Sequence, residues 1–159
     1  MEKLLKILDK NARLTNEQIA VMLGASAAEV ATAMAKYEAD GVIRGYKAVI
    51  DWERTGKERV TALIELRVTP KRDLGFEEIA KKVMLFDHVE SVFLMSGGYD
   101  LAVLVSGRTF QEIALFVAHR LAPMDSVLST TTHFVLRRYK DDGFVFCDED
   151  KDERGNASL

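Results

Sequence analysis

The chain has 159 residues, 48% hydrophobic and 30% charged, which is the composition of a globular protein long enough for one domain or two small ones. A net charge of −3 excludes a strongly basic protein that would bind nucleic acid by charge alone. The single cysteine, Cys147, excludes an internal disulfide framework, and no apolar run approaches the roughly 20 residues of a membrane span, so we expect a cytoplasmic protein without membrane association.

The acidic residues are concentrated near the C-terminal end. Residues 141–159 hold seven Asp and Glu side chains and two Lys and Arg, whereas residues 1–55 hold eight of each kind. The rest of the chain is therefore close to neutral, and residues 141–159 are predicted to form an acidic tail.

Residues 1–50 are predicted to form short helices, the first of which has leucine and isoleucine at helical spacing. A capping box at Thr15 and Gln18 predicts the start of a second helix, because these two side chains satisfy its first free amides. Gly24 is expected to end that helix in a left-handed conformation. The apolar face predicted for the second helix consists of Ile19, Met22 and Leu23.

A second capping box, at Ser26 and Glu29, predicts a third helix that ends at Asp40 and Gly41. Two capped helices joined by about three residues around a glycine form a helix-turn-helix unit. The segment that follows, VIRGYKAVID, alternates in polarity and predicts a strand or a small wing.

Residues 51–59, DWERTGKER, are polar and contain a glycine, which is typical of a linker between two domains. Strand and helix patterns then alternate up to residue 140, in the order β-α-β-β-α-β. That order predicts an α+β, ferredoxin-like domain: a four-stranded antiparallel sheet with both helices on one face. A partner subunit is the expected cover for the other face. The predicted strands are 60–68, 88–95, 101–105 and 127–138, and the predicted helices are 74–86 and 109–121.

Four phrases, in this order, resemble the Lrp/AsnC (feast/famine) family of transcription regulators. They are LLKILDKNARLTNEQIA in the first helices, ADGVIRGYKAVID at the wing, SGGYDLAVLV at the central hairpin and VLSTTTHFVLRRYK in the last strand. The resemblance implies a winged helix-turn-helix DNA-binding domain over 1–50 and a ferredoxin-like effector-binding and oligomerisation domain over 60–140. It also implies double-stranded DNA as a partner, and a homodimer or a higher even-numbered homo-oligomer that senses a small molecule, typically an amino acid.

The resemblance implies an effector site in a cleft between subunits, lined by the turn of the central hairpin, where glycine lets a ligand approach the backbone closely. Asp100 can receive an ammonium group there, and small hydroxyl groups can bind a carboxylate. Simpler interpretations stay open: the glycines and Asp100 serve a tight turn, and the threonines only favour a strand. The candidate effector-binding residues are Gly97, Gly98, Tyr99, Asp100, Thr131 and Thr132.

The resemblance also implies that the third helix and the segment after it contact DNA, although alanines stand where the family commonly has arginine, serine and lysine. Cations are expected to contact phosphates, and the small side chains to contact thymine methyl groups or follow groove shape. The alternative is an amino-acid-binding sensor, or a partner of a related regulator, with weak or no DNA binding of its own. The candidate DNA-binding residues are Ala27, Ala28, Ala31, Thr32, Lys36, Arg44 and Lys47.

The sequence offers no catalytic or metal site. His88, His119 and His133 are dispersed without close ligand spacing, and no nucleophile or glycine-rich phosphate loop has a recognisable context. We therefore predict a protein that is not an enzyme and needs no metal or cofactor. A separate hypothesis is that the acidic residues 148–153 fold onto a basic patch such as Arg137–Lys140, or compete with DNA for basic side chains.

Overall fold

The computed structural model describes residues 2–69 and 75–147, and the chain divides into two compact units between Ile50 and Asp51. The hypothesis about residues 148–153 concerns residues outside this described part. Among the described residues, no single helix is long and apolar enough to cross a membrane. Only the second and third helices taken together, which are bent by 105°, have that length and composition.

The first unit consists of three helices: α1 (Glu2–Lys10), α2 (Asn16–Leu23) and α3 (Ala27–Ala39). The structure confirms the predicted caps, because Thr15 and Ser26 each form a capping box and Gly24 ends α2 with a φ of 65°. The 105° bend between α2 and α3 is that of a helix-turn-helix unit. The buried core of this unit comprises Leu4, Leu8, Ile19, Ala20 and Val30.

One residue predicted for this core lies elsewhere. Met22 is 61% exposed, whereas Ala20 is buried beside Ile19. The inner face of α2 is centred between Ile19, Ala20 and Leu23. Because the helix has about 3.6 residues per turn, Met22 lies away from the centre of this face and points toward solvent. The prediction of Met22 as a core residue is therefore wrong.

The prediction of a strand after α3 is also wrong, because residues 42–50 form neither helix nor strand. The amides of Val42 and Ile43 donate to the Tyr37 carbonyl at 2.9 and 3.1 Å, and the Tyr46 hydroxyl donates to Glu38 Oε1 at 2.7 Å. These bonds hold the segment against the end of α3. An alternating sequence becomes a strand only where its backbone has a ladder partner, and the described part of this unit offers none.

The second unit begins with the residues predicted as a linker, which have local structure of their own. Glu53–Thr55 form a short 3₁₀ turn, and the Asp51 carboxylate pairs with Arg54 at 3.1 Å. The Arg59 guanidinium lies 5.3 Å from the centroid of the Trp52 ring, which is a cation–π distance.

The main elements of the second unit are β1 (Val60–Val68), α4 (Glu77–Val83), β2 (Val89–Leu94), β3 (Leu101–Gly107), α5 (Phe110–Phe116) with a π-helical extension (Val117–Leu121), and β4 (Val127–Phe134).

Two predicted elements extend too far at their C-terminal ends. The first helix of this unit ends at Val83 rather than at residue 86, and Met84, which follows it, is 56% exposed. The last strand ends at Phe134 rather than residue 138, because its ladder with β1 ends at the pair Ala62–Phe134.

The four strands form one antiparallel sheet in the order β2-β3-β1-β4, with β1 and β3 in the middle. Across the sheet, Ile64 of β1 lies opposite Val103 of β3 and Thr132 of β4. This order and the alternation of strands with helices are those of the ferredoxin-like fold, so the predicted fold class is confirmed.

The two faces of the sheet differ in what covers them. Alternate residues of β1, from Ala62 to Val68, are buried in one cluster with the apolar faces of α4 and α5. The intervening residues Leu63, Glu65 and Arg67 lie on the opposite face, because side chains alternate along a strand. No helix of the described second unit contributes to that opposite face, which we call the helix-free face.

A small hairpin follows the sheet, in a region predicted to belong to the acidic tail. Strands β5 (Lys140–Asp141) and β6 (Phe144–Val145) pair with each other. Asp142 and Gly143 connect them with φ values of 46° and 83°, the conformation that an Asp-Gly hairpin turn requires. The first residues of the predicted acidic tail, 141–145, therefore belong to this hairpin.

Candidate DNA-binding and effector-binding sites

The outward face of α3 is formed by small side chains and a single cation. Ala28, Thr32 and Lys36 follow one another at a spacing of four residues, which places them on one side of the helix, and all three are exposed. Ala27 instead packs against the core of the first unit, and Ala31 is half-buried. Of the candidates on α3, Ala27 is therefore the least available to a partner.

The Thr32 hydroxyl has a partner within its own helix. It donates to the Ala28 carbonyl at 2.9 Å, a common arrangement for threonine inside a helix. Its hydrogen is therefore engaged, so the oxygen can only accept a hydrogen bond from another molecule, and the exposed side chain also offers a methyl group. This chemistry suits contact with a thymine methyl group or a base amino group.

The charges around α3 have both signs. Arg44 and Lys47 are exposed, and the Arg44 guanidinium lies beside Gly41, 3.4 Å from the position that a β-carbon would take there. At the start of α3, the backbone amide and the hydroxyl of Ser26 donate to the Glu29 carboxylate and lower its pKa. Glu29 therefore stays negative in the first turn of α3, and this end of the helix is the one that would approach DNA first.

The turn between β2 and β3 is tied to β1 by the backbone and the side chain of Asp100. Its amide donates to the Leu66 carbonyl at 2.9 Å, and its Oδ2 accepts the Val68 amide at 2.8 Å. Its carbonyl accepts the Met95 amide at 2.8 Å, which closes the turn. One carboxylate oxygen thus has a structural role, and no hydrogen bond to Oδ1 is present among the described residues.

The simpler interpretation of Gly97 and Gly98 as positive-φ turn residues is wrong. Neither glycine has a φ in the left-handed region, and a β-carbon added at either would meet nothing within 4 Å. The fold of the described chain therefore does not require glycine at these positions. The space above the turn is open to a molecule that approaches the backbone closely.

Arg67 is a functional candidate that the sequence did not indicate. Its Nε donates to the Gly98 carbonyl at 2.8 Å, a contact between residues 31 positions apart. Tyr99, between Gly98 and Asp100, is half-buried, and its hydroxyl has no hydrogen-bond partner among the described residues. The only sequence signal for Arg67 is its position in an alternating strand, which does not show what it contacts.

Thr131 and Thr132 cannot serve one site within a single chain. In the β1–β4 ladder Thr131 lies opposite Glu65, on the helix-free face, whereas Thr132 lies opposite Ile64, on the helix-covered face. Consecutive strand residues always face opposite sides of a sheet. The structure therefore does not bring the two threonines together.

Two of the three histidines have acidic partners, and the described residues contain no metal site. His88 Nε2 lies 3.3 Å from Glu112, and His133 Nε2 lies 3.2 Å from Glu65. No group of three His, Cys, Asp or Glu side chains in residues 2–69 and 75–147 is arranged to hold a metal ion.

Comparison with known proteins gives matches over both units. Residues 2–44 match the model of a winged helix-turn-helix DNA-binding domain, and residues 61–145 match the model of the Lrp/AsnC ligand binding domain. Over 153 residues, 96% of this chain and 92% of the relative, the sequence is 49% identical to the uncharacterised HTH-type transcriptional regulator YugG of Bacillus subtilis. It is also 28% identical to the regulatory protein AsnC of Haemophilus influenzae, over 82% of this chain and 85% of that protein.

Two solved structures have the same fold. One is a transcriptional regulator of Neisseria meningitidis in complex with L-Met, with a TM-score of 0.72 and 24% identity over 87% of this chain and 89% of that chain. The other is a feast or famine regulatory protein from M. tuberculosis complexed with L-methionine, with a TM-score of 0.72 and 22% identity over 87% of this chain and 91% of that chain.

Proposed function

The chain belongs to the Lrp/AsnC family of transcriptional regulators, and we propose that it binds double-stranded DNA through α3 under the control of an amino acid bound at residues 97–100. Members of this family regulate transcription and are not enzymes. The turn at Gly97 and Gly98 is the observation that carries the proposal, because a β-carbon at either glycine would meet nothing within 4 Å, which leaves space for a ligand.

The geometry of the first unit supports DNA binding. Its two capped helices meet at the helix-turn-helix angle, and α3 presents an exposed stripe of Ala28, Thr32 and Lys36. Arg44 and Lys47 are exposed beyond the helix and supply further phosphate contacts. A surface with so few cations binds weakly per subunit, so the proposal includes an assembly that uses several such surfaces at once.

The chemistry of the turn supports an amino acid as the effector. Backbone amides at glycine positions can bind a carboxylate, and the free Oδ1 of Asp100 can bind an ammonium group. Two regulators of the same fold form complexes with L-methionine, which supports the same ligand class without identifying this chain's effector.

The helix-free face supports a homodimer. Phe93 is 56% exposed there and lies opposite Ala102, which is only 4% exposed, while Leu63 lies opposite Leu104. A sheet with one uncovered, partly apolar face is stabilised when a second copy covers it. We infer a dimer, or a larger assembly with an even number of subunits, formed through this face.

Two measurements test the proposal. Fluorescence anisotropy with the DNA upstream of the protein's own gene, at low and at moderate salt, should detect binding with a shallow salt dependence. A thermal-shift screen of the twenty amino acids should find one that stabilises the protein by about 2.7 kcal/mol at a hundred times its Kd. Absence of DNA binding at low salt contradicts the first half of the proposal, and absence of any stabilising amino acid contradicts the second.

A second candidate function follows from the charge of α3. Its exposed stripe contains one cation, and Glu29 at its start carries a negative charge that opposes phosphate. These features suit an amino-acid sensor, or a partner of a related regulator, that binds DNA weakly by itself. The anisotropy experiment separates the two functions, because the sensor responds to an amino acid but does not bind the upstream DNA.

A further inference from the structure

Arg67 lies at the end of β1, next to an irregularity in the partner strand and in contact with the turn at residues 97–100. Arg67 pairs with Ser129 and Val68 with Val127, so the register between β1 and β4 shifts here and Leu128 of β4 is left without a partner in the ladder. Such irregularities are over-represented at sheet edges and next to functional sites. Here Arg67 is exposed and bonds to Gly98 of the turn, while its neighbour Val68 bonds to Asp100.

Among the described residues, Arg67 uses only its Nε for a hydrogen bond. Its Nε donates to the Gly98 carbonyl at 2.8 Å, and its two terminal nitrogens make no ion pair with any residue in 2–69 or 75–147. A guanidinium has five N–H donors, so four remain beside the turn. Those donors form the planar fork that binds a carboxylate through two parallel hydrogen bonds.

Arg67 and Asp100 bring opposite charges to the same turn. Arg67 bonds to the Gly98 carbonyl, and Asp100 follows two residues later, yet no ion pair joins the two side chains in the described part of the chain. Two opposite charges at an open glycine turn match the two charges of an α-amino acid. The ligand's carboxylate would meet Arg67 and its ammonium group would meet Asp100.

We propose that Arg67 is the residue that binds the α-carboxylate of the effector, with its terminal nitrogens, while its Nε holds the turn in shape. This inference rests on the proposed function, because it assigns a carboxylate partner within the same site. It selects zwitterionic amino acids over amines and amides that share their side chain, since those lack the carboxylate.

The test compares an amino acid with its own carboxamide. The probe is the amino acid that stabilises the wild-type protein most in the thermal-shift screen, and its α-carboxamide has the same side chain and ammonium group. Isothermal titration calorimetry should show that wild-type protein binds the acid about 10- to 100-fold more tightly than the amide. Arg67→Gln should lose this preference, so that acid and amide bind with similar affinity.

Two further variants distinguish recognition of the ligand's carboxylate from support of the turn at Gly98. Arg67→Lys keeps the charge without the fork and should retain part of the preference. Arg120→Gln removes an exposed arginine of the same unit and should leave the preference unchanged. A role limited to holding Gly98 would weaken acid and amide equally, so a preference that persists in Arg67→Gln overturns this inference. If no amino acid binds the wild-type protein, the proposed effector function fails first, and this inference fails with it.

Discussion

The carboxylate of Asp100 accepts the backbone N–H of Val68 at 2.8 Å, across a break in the regular ladder. The β1–β3 register ends at the pair Leu66–Leu101, and the β1–β4 register shifts just before Val68. A half-buried amide at such a position needs an acceptor, and the side chain of Asp100 provides it. The same residue that is a candidate for ligand binding therefore also completes the sheet.

Two different substitutions of Asp100 distinguish its role in the sheet from its role in ligand binding. Asp100→Ala should destabilise the protein by about 1–3 kcal/mol, because it leaves the Val68 amide without an acceptor. Asp100→Asn keeps a carbonyl oxygen for that amide and should change stability by less than about 0.5 kcal/mol, while it loses the charge that would bind an ammonium group. Urea unfolding measures the first effect and titration with the amino acid measures the second. Asp125→Ala, on the exposed surface, is the control for stability.

Gly98→Ala should leave the fold intact and reduce ligand binding. A methyl group at this position meets nothing within 4 Å and the φ suits any residue, so the thermal midpoint should stay within the error of the wild-type value or rise slightly. The added methyl occupies the space that the ligand needs, so the stabilisation by amino acids should fall. Gly24→Ala, at a φ of 65°, should instead cost about 1 kcal/mol. A clear loss of stability in Gly98→Ala would mean that the fold itself requires this glycine.

The sequence predicts those features that depend on nearby residues. The capping boxes at Thr15 and Ser26 and the positive φ of Gly24 are encoded within four positions and are all present. The fold class follows from the order of periodic segments, which the sheet confirms. The opposite faces of Thr131 and Thr132 also follow from strand period alone.

Other features depend on contacts that periodicity does not encode. The bonds from Arg67 to Gly98 and from Val68 to Asp100 join residues 31 and 32 positions apart, and they depend on the register between strands. Burial is equally non-local: Met22 is apolar but exposed, because residue type alone does not determine which side of a short helix is covered.

Glu112 should make the stability of the protein depend on pH in the acidic range. Its carboxylate accepts the Arg108 amide at 2.8 Å and lies 3.3 Å from His88 Nε2, and these two contacts, the amide first, lower the pKa of Glu112 below its ordinary 4.5. A carboxyl group whose pKa is lowered by folding stabilises the native state above its unfolded pKa, and this contribution is lost as the pH falls through the folded pKa.

The measurement is the urea midpoint of Glu112→Gln and wild-type protein between about pH 6 and pH 3. The variant should be less stable near neutral pH, and the difference should shrink as the pH falls below the ordinary pKa of glutamate. Glu58→Gln, at an exposed position, should follow the wild-type curve. A difference that stays constant over this pH range would show that Glu112 acts through packing rather than through its charge.

The cations around α3 should determine the salt dependence of DNA binding. Lys36→Ala, Arg44→Ala and Lys47→Ala should each weaken binding and reduce the salt slope by about 0.9 for every phosphate contact removed. Lys81→Ala removes an exposed cation of the second unit and serves as the matched control. Anisotropy titrations at several salt concentrations give the slopes. Equal slopes in all four variants would mean that these three cations do not contact phosphate.

Phe93→Lys should separate the subunits of the proposed dimer. Phe93 lies on the helix-free face opposite Ala102, so a second copy packed on this face would bury its ring, and a lysine there would place a charge in an apolar interface. Sedimentation velocity should show a smaller species for this variant at a concentration where the wild-type protein is associated. Leu85→Lys changes a side chain that is 82% exposed outside the strands and should leave the assembly intact. An unchanged sedimentation coefficient for Phe93→Lys, with unchanged circular dichroism, would place the subunit contact on another surface.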